Sequence, residues 1–290
     1  MPVVETLQAA LLGLVQGLTE FLPVSSSGHL LIVPWLLGWT SPLLNSLTFD
    51  VALHLGTLGA VLVYFRREWW ALARALVTAP SGQAVEVADQ RRLAWLLVLG
   101  SVPAGVAGLL MNEVAETLFR HPIVTAVMLV TVGLLMWVAE LHYRPSDRIR
   151  KSLTAVTVRD AAVIGMAQVT ALIPGVSRSG ITIIAGLTTG LSRETAARFS
   201  FLLGTPVIAG AGVLKIGQLL GVGMDLAQVT PFLVGMLLAF AVGYGAIALL
   251  LAYVRERPLH IFVIYRLALA ALVSAGWYLG RPWPWPWPPG

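Results

Sequence analysis

The chain has no cysteine among its 290 residues. That excludes disulfides, thiolate zinc sites and cysteine nucleophiles, though it leaves the compartment open. Charge is the second scarcity. Only 11% of the residues are Asp, Glu, Lys or Arg, against about 25% in a soluble domain. So few charges cannot coat a globule of this size. With 57% hydrophobic residues and a mean hydropathy of +0.82, most of the surface must face lipid. The net charge of +5 does not point to nucleic acid, because the basic residues fall in short loops between apolar runs, as in positive-inside topology. A basic n-region is also missing from Met1 to Glu5, so the first apolar run is not read as a cleaved signal peptide.

What is present is a set of apolar runs. Spanning a bilayer takes roughly 20 apolar residues. Six candidates are Leu47–Phe65, Leu93–Leu110, Ile123–Val138, Arg198–Leu220, Val229–Tyr253 and Leu259–Leu279. Two further regions, Val3–Trp39 and Val156–Leu191, are long but broken by proline, glycine and serine. Each is read as a re-entrant helical pair that enters and leaves on one side, since irregular backbone at membrane depth survives only where it is buried or lines a cavity. Arg66–Arg92 reads as a polar loop, and Glu140–Asp160 as another. With both interrupted regions re-entrant, these basic loops and Arg193, Arg255 and Arg257 share one face. That face is the cytoplasmic one. Glu113, Glu116 and Asp225 lie opposite, with Arg120 and Arg281 as exceptions, and both termini are outside.

The two interrupted regions are copies. With Gly13 set against Gly165, Ala9, Ala10, Gln16, Val24, Ser25, Ser27 and Gly28 meet Ala161, Ala162, Gln168, Val176, Ser177, Ser179 and Gly180. By the topology above they enter from opposite sides. Inverted repeats with broken helices meeting near the midplane are an established membrane architecture. The expected fold is therefore all-α: a polytopic integral membrane protein with six full spans and two re-entrant pairs. It forms one membrane domain over 1–280, with repeats over about 1–140 and 153–280. The Trp-Pro tail at 281–290 is extended.

Polar residues in such a setting cost free energy unless they do something. Gln16 and Glu20 stand four apart on one helical face. Glu20 suits a hard cation or a base. Ser25, Ser26 and Ser27 offer hydroxyls and backbone amides to an anion, or cap the next helix. His29 suits a proton shuttle or attack on phosphorus. Arg178, between Ser177 and Ser179 in the second break, matches phosphate oxygens or else pairs with Glu20. Asp50 and His54, again four apart, suit a metal or proton relay, or an interfacial helix start. Lys215 reads as a snorkelling residue and Arg266 as a structural pair.

The run Gln16-Gly17-Leu18-Thr19-Glu20-Phe21-Leu22-Pro23-Val24-Ser25-Ser26-Ser27-Gly28-His29, with Pro174-Gly175-Val176-Ser177-Arg178-Ser179-Gly180, resembles the undecaprenyl pyrophosphate phosphatase family of bacteria, the bacitracin-resistance type. Phe49-Asp50 with His54-Leu55-Gly56-Thr57 is similar too, and only the Trp-Pro tail falls outside the likeness. The resemblance implies an enzyme of the bacterial plasma membrane with its active site open to the outer side. It would remove the terminal phosphate of undecaprenyl pyrophosphate, a polyprenyl pyrophosphate lipid, and so recycle the carrier for cell-wall glycans. It implies a divalent cation, Mg2+ or Ca2+, held partly by Glu20. By motif position Glu20, Ser26, His29 and Arg178 are catalytic, and Gln16, Ser25, Ser27, Ser177 and Ser179 bind substrate. Many members carry glutamate where this chain has Gln16, and an amide binds metal more weakly. Whether Ser26, His29 or water attacks stays open, as does assembly into an oligomer. A type-2 phosphatidic acid phosphatase is excluded, because Ser177-Arg178 has no histidine nearby downstream. The alternative class is a lipid-carrier flippase with the same inverted repeat.

Overall fold

A computed structural model describes residues 2–78, 85–111, 120–143, 151–222 and 226–282, with the side chains of 2, 215–222 and 226–228 excepted. Outside that description lie Glu113, Glu116, Asp225, the Lys215 side chain, the basic run 144–150 and the tail from Trp283.

The described residues form eleven α-helices: α1 Pro2–Phe21, α2 Ser26–Leu37, α3 Leu47–Tyr64, α4 Arg66–Val77, α5 Val85–Leu110, α6 Pro122–His142, α7 Val158–Val169, α8 Arg178–Thr188, α9 Arg193–Val222, α10 Leu226–Glu256 and α11 His260–Tyr278. No strand occurs among them. The fold is all-α, and six helices (α3, α5, α6, α9, α10 and α11) are long and apolar enough to cross a membrane. They fall on the six predicted runs.

The polar loop expected over Arg66–Arg92 is a correction. It contains α4 and the first two turns of α5. Charge density hid an amphipathic helix: Leu72 and Ala75 are buried on one side of α4, while Trp70 and Val77 stay exposed on the other. Glu68 pairs with Arg198 from this segment. Likewise α9 starts at Arg193, five residues before the apolar run, because polar residues can begin a helix whose later turns are buried.

The interrupted regions double back. Glu5 at the start of α1 accepts a hydrogen bond from Ser41 beyond α2. Arg281 reaches the carbonyls of Trp35 and Leu36 from the end of α11. In the second region Lys151 N donates to Gly190 O at 3.4 Å, which closes the α7–α8 pair. The two pairs open at opposite ends of the bundle. The second opens at the basic end. There Arg193 binds Glu140 at 2.5 Å, Glu140 also caps the Leu259 amide at 3.1 Å, and Arg255 binds Glu194 at 2.7 Å.

The halves are interlocked rather than juxtaposed. The first broken pair packs on α10 of the second half, and the second packs on α5 of the first. Glycine permits both crossings. A methyl group on Gly13 would lie 2.4 Å from Gly235 O, and one on Gly165 would lie 2.3 Å from Gly100 O. These backbones touch, so the tips of both pairs are held at a fixed depth.

Gly165→Ala should therefore lower Tm in detergent, since overpacking costs about 1–3 kcal/mol. Gly105→Ala, where the added methyl meets open space, should raise it slightly by helix propensity, worth up to ~1 kcal/mol. Scanning calorimetry or a thermal-shift assay on the two variants checks both signs.

Candidate active site

The two breaks are built alike. α1 ends at Phe21, and Pro23 cannot continue the hydrogen-bond ladder. α7 runs into a 3-10 turn, Thr170–Leu172, and then Pro174. Each following helix starts from a serine with positive φ, 74° at Ser25 and 71° at Ser177. That conformation is strained for a residue with a side chain. Each serine accepts the amide three residues ahead: Gly28 N at 3.3 Å, Gly180 N at 3.1 Å. Each also meets the serine two residues on, Ser27 at 3.4 Å and Ser179 at 3.2 Å. Ser25, Ser27, Ser177 and Ser179 thus shape the breaks.

The tips interleave. Gly175 N donates to Ser25 Oγ at 3.1 Å, and Ser179 Oγ donates to Leu22 O at 3.1 Å. Arg266 of α11 binds them together. Its fully buried guanidinium donates to Pro23 O at 3.2 Å in the first tip and to Gly175 O at 2.7 Å and Val176 O at 3.2 Å in the second. It also reaches Met128 O and Leu129 O of α6, both at 3.2 Å. Pro23, Gly175 and Val176 lie in the breaks, where a carbonyl has no helical ladder partner, whereas Met128 and Leu129 lie within α6. One cation satisfies the three carbonyls of the breaks and anchors them to α6.

With the tips fixed, the polar side chains converge on one carboxylate. Glu20, 4% exposed, accepts on Oε1 from Arg178 Nη2 at 2.9 Å. On Oε2 it accepts from Ser26 Oγ at 2.6 Å and Gln16 Nε2 at 3.0 Å. His54 Nε2 stands 3.3 Å from the same Oε2. Arg178 is aimed from the second half. Its Nη1 donates to Ser200 O at 3.1 Å. Its guanidinium lies against Gly204, where a side-chain carbon would come within 1.7 Å of Nη1. The first residues of α2 and α8, Ser26 and Arg178, are both here. The two helix N-termini therefore add amide dipoles that favour an anion.

Of the predicted catalytic residues, Glu20, Ser26 and Arg178 meet, and Gln16 joins them. His29 does not enter this network. Its Nδ1–H donates to Ser25 O at 2.7 Å, and its Nε2 accepts from the Tyr265 hydroxyl at 2.7 Å with the two rings stacked. His54 occupies the place beside Glu20 instead. The Asp50/His54 spacing carried that signal without revealing which carboxylate the ring would face. Asp50 itself pairs with the buried Arg120, at 2.9 Å. Arg266 gave a signal as well, a charge inside an apolar run, but its partners are backbone atoms that no side-chain pattern betrays.

Residues that could hold a divalent cation are present. Glu20 Oε2 is one oxygen donor. Gln16 Oε1, fully buried, has no hydrogen-bond partner. No group of three His, Cys, Asp or Glu side chains converges among the described residues. The remaining ligands would be phosphate oxygens of a substrate, the pattern that magnesium favours. The donor set fits.

Residues 9–272 match the family described as bacitracin resistance protein BacA. The chain belongs to that family. An undecaprenyl-diphosphatase of Rubrobacter xylanophilus is 51% identical over 272 residues, covering 93% of this chain and 98% of the relative. One of Moorella thermoacetica is 46% identical over 275 residues, covering 95% and 99%. The match to the BacA family spans both breaks, so every residue of the Glu20 cluster lies inside it.

Arg266→Met should lower Tm sharply, because the buried carbonyls of the breaks lose their donor at about 1–3 kcal/mol each, and should abolish turnover with it. Gly204→Ala should lower Tm modestly but cut turnover out of proportion, because the added carbon would come within 1.7 Å of Arg178 Nη1 and drive the guanidinium from its slot beside Glu20. Thermal unfolding and phosphate release on the same preparations separate the two effects.

Proposed function

We propose that this chain is an undecaprenyl-diphosphatase: a membrane hydrolase that converts undecaprenyl pyrophosphate to undecaprenyl phosphate and inorganic phosphate. The Ser26–Glu20 hydrogen bond, 2.6 Å, carries the chemical reading. A serine hydroxyl donating to a buried carboxylate is a nucleophile with its base in place. A flippase needs neither. Arg178 supports the substrate class, since its fork matches two phosphate oxygens.

In this reading Ser26 Oγ attacks the terminal phosphorus, and its proton passes to Glu20. The bond from phosphorus to the bridging oxygen breaks, and undecaprenyl phosphate leaves. Water then hydrolyses the phosphoserine and restores Ser26. Arg178 and the amides at the start of α2 hold the phosphoryl oxygens throughout. A divalent cation, Mg2+ or Ca2+, would when bound neutralise charge at the bridging oxygen, with Glu20 and Gln16 as its protein ligands. Ser25, Ser27, Ser177 and Ser179 orient the tips. His29, one turn beyond Ser26 on α2 and tied to Tyr265, orients that turn rather than attacking.

The two broken pairs are re-entrant in this account, and the cluster opens to the outer side of the bacterial plasma membrane. The basic end of the bundle then faces the cytoplasm. Recycling the lipid carrier for cell-wall glycans, and with it bacitracin resistance, follows from a site on that side.

Purified protein in detergent should release phosphate from undecaprenyl pyrophosphate and stop when a chelator is added. Arg178→Ala should lose about 10²–10³-fold in kcat/KM, as for a lost transition-state donor, and Arg178→Lys should not restore it. Near-normal release by Arg178→Ala would sink the assignment.

Orientation is tested separately. The chain has no cysteine background. Thr40 and Glu256 are exposed at opposite ends of the bundle. Thr40→Cys should react with an impermeant reagent in intact cells, and Glu256→Cys only after lysis. The reverse pattern would place the site on the cytoplasmic side.

A further inference from the structure

We propose that His54 is a nitrogen ligand of the divalent cation in this site, completing a set with Glu20 and the amide oxygen of Gln16. The inference rests on the proposed function only for the presence of a cation.

The ring is prepared for ligation. His54 Nδ1–H donates to Asp50 O at 2.7 Å; a carbonyl can only accept, so this fixes which nitrogen carries that proton. Nε2 is thereby the working nitrogen, and it is aimed at Glu20 Oε2, 3.3 Å away. A backbone carbonyl behind the distal nitrogen is the usual support of a metal-bound histidine. Asp50 is anchored in turn by Arg120 at 2.9 Å, so the supporting carbonyl does not wander. The His54 side chain is 25% exposed against 3% for Glu20, which leaves an approach for an incoming ion.

The spacing agrees. Neighbouring ligands around a six-coordinate cation at about 2.1 Å stand roughly 3 Å apart. Around Glu20 Oε2 the Gln16 amide is at 3.0 Å and His54 Nε2 at 3.3 Å. Arg178 holds the other carboxylate oxygen, Oε1, so a cation would sit at Oε2, in the place the Gln16 amide hydrogen now takes and beside the Ser26 hydroxyl that donates to the same oxygen at 2.6 Å. A second, independent feature points the same way. Gln16 Oε1 is buried without a partner, a costly state. Turning the amide end over presents that oxygen where Nε2 now sits, on the ligand side of Glu20. His29, the other buried imidazole, cannot serve, because both its nitrogens are taken.

One imidazole among oxygen donors raises affinity for manganese relative to magnesium and calcium. The probe is therefore Mn2+ alone, added to purified full-length protein and followed by EPR. One Mn2+ should bind per chain. Three-pulse echo modulation should show a directly bound ¹⁴N, replaced by a ¹⁵N pattern when only histidine is ¹⁵N-labelled. His54→Gln should weaken Mn2+ binding by about tenfold or more and abolish the nitrogen modulation, while His29→Gln keeps it. Wild-type Mn2+ bound without histidine coupling would overturn the role of His54 and leave the cation reading standing. The same holds for coupling that survives in His54→Gln. Failure of Mn2+ to bind at all, or binding indifferent to Glu20→Gln, would overturn the cation reading itself. The wild-type labelling experiment needs no variant to fold.

Discussion

A carboxylate buried in an apolar bundle must find cationic or hydrogen-bonding partners, or it will not stay ionised there. Glu20 finds its main partner in Arg178, at 2.9 Å, and that arginine arrives from the other half of the chain. The pair explains why two broken helices must meet. Neither tip can hold its charge alone: Glu20 without Arg178 is a buried anion, and Arg178 without Glu20 is a buried cation beside two helix N-termini that repel it. In the proposed reading the ion pair and the phosphate site are the same object, seen without and with a substrate anion.

The rest of the structure serves that meeting. Arg266 ties both tips to α6 through backbone carbonyls, which fixes their relative height. The glycine crossings at Gly13–Gly235 and Gly100–Gly165 set their depth. The repeat also shows how one motif gave two roles. In the register that matches Ser25 with Ser177, Ser26 falls on Arg178, and Glu20 falls on Leu172. The scaffold serines are kept in both copies, while the position after them became a hydroxyl in one and a guanidinium in the other. In the proposed mechanism this symmetric backbone with asymmetric chemistry sets one oxygen nucleophile against a cationic clamp.

Much of this was legible in the residues. The six long helices follow from run length and hydropathy, because lipid admits only helices or closed barrels and a continuous apolar run of roughly 20 residues fits the helix. Glu20, Ser26, Gln16 and Arg178 were visible as polar groups too costly to be idle. What was hidden depended on partners rather than on patterns. The α4 helix looked like a loop because its buried stripe is only Leu72 and Ala75 among charges. His29 sits in the motif, yet Tyr265, 236 residues away, claims its free nitrogen. His54 lies in a separate family-like segment, and only the packing of α3 against α1 turns it to Glu20. The Gly204 slot is invisible in sequence, because an absent side chain has no signature.

The account's central claim is that Glu20 and Arg178 act as one unit, and a double-mutant cycle tests it most directly. The quantity is kcat/KM for phosphate release by wild type, Glu20→Gln, Arg178→Lys and the double variant. The account predicts strong coupling: the double variant should be little worse than the worse single one, with an interaction energy of about 1–3 kcal/mol. Losses that simply multiply would mean the two residues act independently, and the shared site across the interleaved tips would have to be given up.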